Sequence, residues 1–375
     1  MNAPVKIQQA QFDLFDFGVS CDVKDDQAFN GILDSLRSQP VVPDFQPHHL
    51  FDAPGKEEII RLKQKAEAFQ RAGNRLLEVP EAETIIDGWK QHTAAQGADR
   101  NSLSANSERV VLSLYDHTGN WSKPWREAGY DVYQFDIQND PDMGDVMKFS
   151  PEFFADYFGD FGGRGIYAIL AAVPCTDFAS SGARHFARKD ADGTTAASIA
   201  LARQTWATVE YFRPSIWAAE NPVGRLGNLT GLPHWRTSFD PNHIGSPYTK
   251  KTLLWGRFNG DLPIAPVEAS EGSKMHSQYG GKSQRTKNAR SVTPEGFSYG
   301  FFMANNAHDH PILEVGFKYD RLDRDLLQQA LDAGLSASEI GHIVDDSYYM
   351  DLDDVGAERV LTEHLNGPQP QFPSY

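Results

Sequence analysis

Val110-Val-Leu-Ser-Leu-Tyr115-Asp-His-Thr-Gly119 and, a little further on, Tyr130-Asp-Val-Tyr-Gln-Phe-Asp136 decide the architecture. Each opens as a short apolar run with the length of a buried strand, and the Trp121-Ser-Lys-Pro-Trp-Arg-Glu-Ala-Gly129 segment between them is helical in character. Strand, turn and helix in alternation are the signature of an open α/β sheet. The alternation continues downstream. Gly165-Ile-Tyr-Ala-Ile-Leu-Ala-Ala-Val173 reads as a strand, Ser198 to Phe212 as a helix, and Ile216-Trp-Ala-Ala-Glu220 as a strand. His234 to Trp255 then runs through Pro241, Gly245 and Pro247 as a loop entering one more strand. The expected fold class is therefore α/β, a Rossmann-like sheet with helices on both faces.

In such a sheet a ligand lies beyond the carboxyl ends of the strands, and an acid closing the second strand is placed for ribose hydroxyls. Asp136 is that acid, and Met143-Gly-Asp145-Val offers a second carboxylate on the same edge. The turn after the first strand, Asp116-His-Thr-Gly119, is not the glycine-rich dinucleotide fingerprint, so by itself it is a weak signal.

Two later strands end in reactive groups. Ala-Ala-Val-Pro174-Cys175-Thr-Asp-Phe-Ala follows one, and Trp-Ala-Ala-Glu220-Asn221-Pro closes the next. Taken singly, a Cys after Pro is most often a packed small residue, and Glu-Asn-Pro is a common turn. Together at two strand ends they supply what alkylation of a pyrimidine at C5 requires. That carbon is a poor nucleophile until a thiolate adds to C6, and a carboxyl holding a proton beside N3 stabilises the charge that addition creates.

Composition narrows the setting. The chain has 375 residues, long enough for a large domain with additions. Only Cys21 and Cys175 are present, far apart, and nothing resembles a secretory signal, which fits a cytoplasmic protein without a disulfide framework. No apolar run is long enough to span a membrane. Lys+Arg 35 against Asp+Glu 51 gives a net charge of −16, an awkward balance for a protein acting on a polyanion. The charges are not uniform, however. Lys250, Lys251, Arg257, Lys274, Lys282, Arg285, Lys287 and Arg290 are opposed only by Asp261, Glu268 and Glu271, whereas the charged residues from Asp345 to Glu358 are acidic. A basic cleft on an acidic body is the expectation, with a solvated basic face as the plainer alternative.

Three regions follow. Residues 1–108 are an N-terminal arm, Phe-, Asp- and Pro-rich to about 54, with an accessory helix over 56 to 78 marked by Ile59, Leu62, Ala66, Phe69 and Leu76. Residues 109–310 form the catalytic sheet, with a short target-recognition segment near 257–282. Residues 311–375 form a helical extension, in which Asp323 to Gly334 and Leu335 to Val344 read as helix, Gly stop, Ser336 cap and helix. That pattern suits a helix-turn-helix, but the acidic residues that follow favour packing, self-association or a protein partner over DNA reading.

Over roughly residues 109 to 306 these motifs resemble the DNA cytosine-5 methyltransferases in their compact bacteriophage and prophage form. The resemblance rests on the Pro-Cys loop, the Glu-Asn dipeptide, Thr249-Lys-Lys-Thr-Leu-Leu-Trp255, and the stretch from Ser283 through Val292-Thr-Pro-Glu-Gly-Phe297 to Asn306. It implies a DNA substrate, base flipping, no metal, and S-adenosylmethionine as methyl donor. It implies Cys175 as nucleophile, Glu220 as N3 partner, Asn221 bracing that loop and Pro174 shaping the nucleophile's backbone. Tyr115, Asp116, His117, Thr118, Gly119, Trp121, Asp136, Ile137 and Asp145 would surround the donor, with Tyr115 against adenine, Asp136 on the ribose and Asp145 on the adenine amino group. Arg184, Lys250, Lys251, Arg257, Arg285 and Lys287 would contact DNA, Lys251 standing where the family has an Arg steering toward the nucleophile loop. A glycine-containing loop after Cys175 would close over the extruded base.

Asp116-His117 departs from the family's Ser-Gly, Pro222 from its Val, and the recognition segment is short. His117, with Lys123 and Arg184, also suits a donor whose transferred group carries a carboxylate, giving a larger C5 substituent. The same residues are compatible with an RNA cytosine-5 methyltransferase, with an enzyme acting on a free pyrimidine nucleotide, and with a non-catalytic module that binds DNA or a protein partner.

Overall fold

A computed structural model of the protein describes residues 76–232, 235–273, 284–316, 318–319 and 321–366. The expected arm, nearly all of the helix expected over 56 to 78, Lys274, Lys282, and the side chains of Arg285 and Lys287 lie outside the described residues.

Six strands form a single sheet: β1 (Val110–Leu114), β2 (Asp131–Phe135), β3 (Ile166–Ala171), β4 (Ile216–Pro222), β5 (Thr237–Phe239) and β6 (Thr252–Arg257). Their order is β2-β1-β3-β4-β6-β5. Strands β1 to β4 run parallel, β6 returns antiparallel to β4, and β5 pairs antiparallel with β6. Every residue of β1 and β3 is buried, as expected of parallel strands covered on both faces. Alternate residues serve opposite cores. Val110, Leu112 and Leu114 join an aromatic layer with Phe149, Phe154, Phe161 and Trp206, while Val111 joins one built from Trp121, Trp125, Phe297, Phe301 and Phe302.

Helices α1 (Val79–Ala98), α2 (Arg100–Ser107), α3 (Lys123–Glu127), α4 (Pro151–Phe158), α5 (Phe186–Ala191), α6 (Thr194–Phe212), α7 (Leu226–Thr230), α8 (Gln284–Ser291) and α9 (Glu295–Asn305) surround the sheet. α3 and α9 supply the second layer, α4 and α6 the first. Residues 79–107, at the end of the N-terminal region, form α1 and α2. α1 packs on the body because Ala82 and Ile86 find apolar partners in Ala265 and Val267, distant in sequence.

The C-terminal helices α10 (Ile312–Gly316), α11 (Arg324–Asp332), α12 (Ala337–Tyr349) and α13 (Asp354–Asn366) gather around their own core of Leu327, Ala330, Ile340, Val344, Ala357 and Leu361. Gly334 takes φ +94, and Ser336 with Glu339 forms a reciprocal capping box, the stop and start expected from the sequence. Arg109 joins this group to the sheet by a bidentate pair with Glu314 at 3.0 and 2.9 Å. No helix among the described residues is long and apolar enough to cross a membrane.

Candidate active site

The chain steps from β1 to β2 on one side and then to β3 on the other, so the strand order reverses between β1 and β3. This is the switch point at which open α/β sheets bind ligands. Tyr115 leaves β1 with φ +61, an unusual left-handed conformation for a tyrosine. Its amide donates to the Phe135 carbonyl at 2.7 Å, and its hydroxyl is bonded to Thr205 Oγ1 at 2.8 Å. Burial pushes the phenol's pKa well above its ordinary value.

The turn that follows is held from beneath. Gln134 Nε2 donates to the Asp116 carbonyl at 2.6 Å, and Gly119, at φ +70, leaves no room for a side chain because a Cβ would press on Gln134. Gln134 was missed by sequence reasoning, since nothing in an alternating strand marks one outward amide as a prop. Asp136 is buried and its Oδ1 accepts from the Gln138 amide at 2.8 Å. Burial raises its pKa, opposed by that amide and by the His117 amide and imidazole. His117 Nδ1 is itself buried and has no hydrogen-bond partner. The chain then folds back so closely that a Cβ on Gly144 would be driven into the Asp136 carbonyl. The return brings Asp145 close enough to Tyr115 for its charge, like that of Asp136, to be felt by the phenol. Tyr115, His117, Asp136 and Asp145 thus share the edge, while Ile137 and Thr118 are exposed beside them.

Two residues expected here serve the scaffold instead. Trp121 is completely buried, its ring 5.5 Å from Phe297 and 5.7 Å from Phe301. The Asp116 carboxylate is buried inward, where Oδ2 accepts from Ser113 Oγ, Ser122 Oγ and the Ser122 amide at 3.0 to 3.1 Å. Neither side chain is displayed toward a ligand.

Beyond the switch point, β3 and β4 are neighbours in register at Ala171↔Ala219. Each then delivers its reactive residue. Cys175 and Glu220 are half-buried, and Asn221, fully buried, donates from Nδ2 to the Val173 carbonyl at 2.8 Å, tying the two strand ends together. Glu220 Oε2 is buried without a hydrogen-bond partner. Burial raises the pKa of both Cys175 and Glu220, and the Lys250 ammonium opposes both shifts. Of the two lysines, Lys250 is the one whose charge reaches Cys175 and Glu220. Successive residues entering β6 point oppositely, so Lys251 is exposed, while Lys250 is half-buried and its Nζ donates to the Arg290 carbonyl at 3.0 Å.

The loop after Cys175 is built, not slack. The Phe178 and Ala179 amides donate back to the Cys175 carbonyl at 3.1 and 2.9 Å. Asp177 is buried with Lys189 at 2.5 Å and also accepts from Ser198. Arg225 stacks over Phe186 and forms a fork with Asp190 at 2.8 Å to each oxygen. Ala179 bridges to Gly224, and Gly182, Arg184 and His185 lie in a tight 3-10 turn over Ser180–His185. The glycine-containing loop expected to close over an extruded base is thus an ordered turn here. Arg184, exposed, donates to His185, and Lys123 is paired with Glu295 at 3.4 Å. Of the three cations expected to meet a carboxylated donor, only His117 lies against Asp136. A Cβ on Gly224 would run into the Phe178 carbonyl. Gly224→Val is expected to cost about 1–3 kcal/mol through overpacking, seen as a lowered unfolding midpoint, and to displace the Cys175 loop.

An open groove of about 420 Å³ runs beside this loop, lined by Ser180, Ser181, Val223, Lys250, Lys251 and Ser273. Arg257 lies at the end of β6, away from these lining residues. α8 spans the edge above. Asn288 Nδ2 donates to Gln138 Oε1 at 3.0 Å on the carboxylate side, and the Arg290 carbonyl meets Lys250 on the thiol side.

No family model matches the chain, and no curated protein matches it. Among solved structures, it is similar to one from E. coli described as a candidate DNA modification methyltransferase encoded within a prophage, at 18% identity over 41% of this chain, with a TM-score of 0.29. The match covers 48% of that structure, so the chain spans about half its length.

Proposed function

We propose that this protein transfers a methyl group from S-adenosylmethionine to C5 of cytosine in DNA through a covalent adduct at Cys175. The observation that carries the proposal is the pairing of Cys175 and Glu220 on adjacent strand ends, under one lysine, across the switch point from two carboxylates. The donor-side residues fit the donor's chemistry. Asp136 and Asp145 offer acceptors for ribose hydroxyls and an amino group, Gly119 and Gly144 keep the turns tight, and the orphan Nδ1 of His117 awaits a polar partner. The donor supplies an electrophilic methyl carbon on a sulfonium.

The chain's residues do the rest. Cys175, deprotonated, adds through Sγ to C6, forming the S–C6 bond and placing charge on N3 and O2. Glu220 in its protonated form donates to N3; burial favours that form, and its Oε2 is a buried oxygen still without a partner. C5 then takes the methyl group as that carbon's bond to the sulfonium breaks, leaving a neutral thioether. Loss of the C5 proton to water breaks the S–C6 bond and returns the thiolate. Asn221 holds the distance between the two strand ends.

Lys250 gives a pH test. The reactive form needs Glu220 protonated and Cys175 ionised, so activity falls below the Glu220 pKa and above the Cys175 pKa. Lys250 lowers both. Lys250→Gln is expected to move both limbs of the pH–rate profile to higher pH, whereas loss of a DNA contact alone would leave them in place. The proposal itself is tested by incubating DNA with the chain and S-adenosylmethionine and analysing the nucleosides by mass spectrometry. A 5-methylcytosine peak is expected, and a heavier C5 derivative from cell-grown DNA would instead identify a modified donor.

A further inference from the structure

We infer that the cytosine reaching Cys175 comes from an unpaired DNA strand, an inference that rests on the C5 reading above. The stretch after β6 is where a target-recognition segment was expected, yet from Phe258 to Val267 it is largely a wall of the scaffold. Phe258, Ala265 and Val267 are fully buried, the last two against Ala82 and Ile86 of α1. Its backbone is spent as well. The Ala265 and Val267 amides donate to His243 and Asn242 at 2.9 and 2.8 Å, Leu77 donates to the Pro266 carbonyl at 2.8 Å, and the Asn259 amide donates to Asn305 Oδ1 at 2.7 Å. Glu268 and Glu271 follow, and the bridge between Thr249 and Ser273 brings the chain straight back to the groove.

The groove is open and partly lined by charged and hydroxyl groups. Its two ammonium groups, Lys250 and Lys251, and three serine hydroxyls can meet backbone phosphates, with the Asp240 carboxylate, which accepts from the Lys250 amide at 3.1 Å, as the one acid in the lining. Charge density points the same way. A duplex carries a phosphate about every 1.7 Å of axis against about 3.4 Å for one of its strands, so a chain of net charge −16 repels a duplex more strongly than a single strand. Extruding a base also costs pairing and stacking energy that is smallest where the base is already unpaired. A duplex enzyme recovers that cost through contacts to both strands. Phe258 to Val267, spent on the scaffold, are not free to supply them.

The test compares a long circular single-stranded DNA with the closed duplex made by copying it, so that the same sequences are present, and follows 5-methylcytosine per cytosine with the full chain and S-adenosylmethionine. A duplex carrying mismatched cytosines is the third substrate. The single strand and the mismatched sites are expected to be modified at least about tenfold faster than paired cytosine, a factor equivalent to about 1.4 kcal/mol. Equal or faster modification of the fully paired duplex would overturn the inference while leaving the C5 reading intact. Modification of an RNA copy alone, or of none of these substrates, would overturn the DNA C5 reading and the inference with it.

Discussion

DNA treated with the Cys175→Ala chain is expected to gain no 5-methylcytosine, a loss of roughly a thousandfold or more, because removing a nucleophile leaves only binding and electrostatic contributions. Covalent capture separates chemistry from folding. With 5-fluorocytosine in the DNA, Sγ adds to C6 and the methyl is taken up, but fluorine cannot leave as a proton, so the S–C6 bond persists. The wild-type chain is expected to give a protein–DNA species that survives denaturation, and the Cys175→Ala chain none. Glu220→Gln is expected to slow turnover by about 10²–10³ while still forming the captured species, because the thiolate is intact. Capture by the Cys175→Ala chain would show that another group attacks, and the assignment of Cys175 would be wrong.

Lys189→Met is expected to have the largest effect on stability. It leaves the Asp177 carboxylate, 2% exposed, without its cation in a site where Lys189 is 7% exposed. Removing one partner of such a pair costs about 3–5 kcal/mol, since the remaining charge stays buried and uncompensated. The unfolding midpoint in urea should fall accordingly. Asp177→Asn combined with Lys189→Met should cost less than the sum of the two single changes, because the stranded charge is then gone. Since Asp177 lies two residues after Cys175, a weakened pair should also loosen the Cys175 loop, and limited proteolysis near Thr176–Asp192 reads this directly. An unchanged midpoint for Lys189→Met would mean that Asp177 finds another partner or takes up a proton.

The sheet was legible because its strands are short, apolar and separated by helical segments. The strand ends at Cys175 and Glu220 could be located to within a residue or two for the same reason. Side-chain direction was less accessible. Lys250 and Lys251 are adjacent and identical, and only the packing of the chain entering β6 shows which one turns inward. Trp121 and Asp116 sit inside a turn that resembles a donor loop, yet their partners, Phe297 and Ser122, are fixed by packing that sequence spacing does not reveal. The 257–282 stretch looked like a recognition segment by position. The conversion of its described part into scaffold depends on α1, whose weakly patterned sequence gave no warning that it would dock there.

α8 touches the Asp136 side through Asn288 and the thiol side through Arg290. If donor and DNA bind as proposed, any shift of this helix made to admit one would change the surroundings of the other. Linkage makes such an effect mutual, so the factor by which donor alters DNA affinity must equal the factor by which DNA alters donor affinity. On the proposed reading, coupling between the two sites would run through a single eight-residue helix.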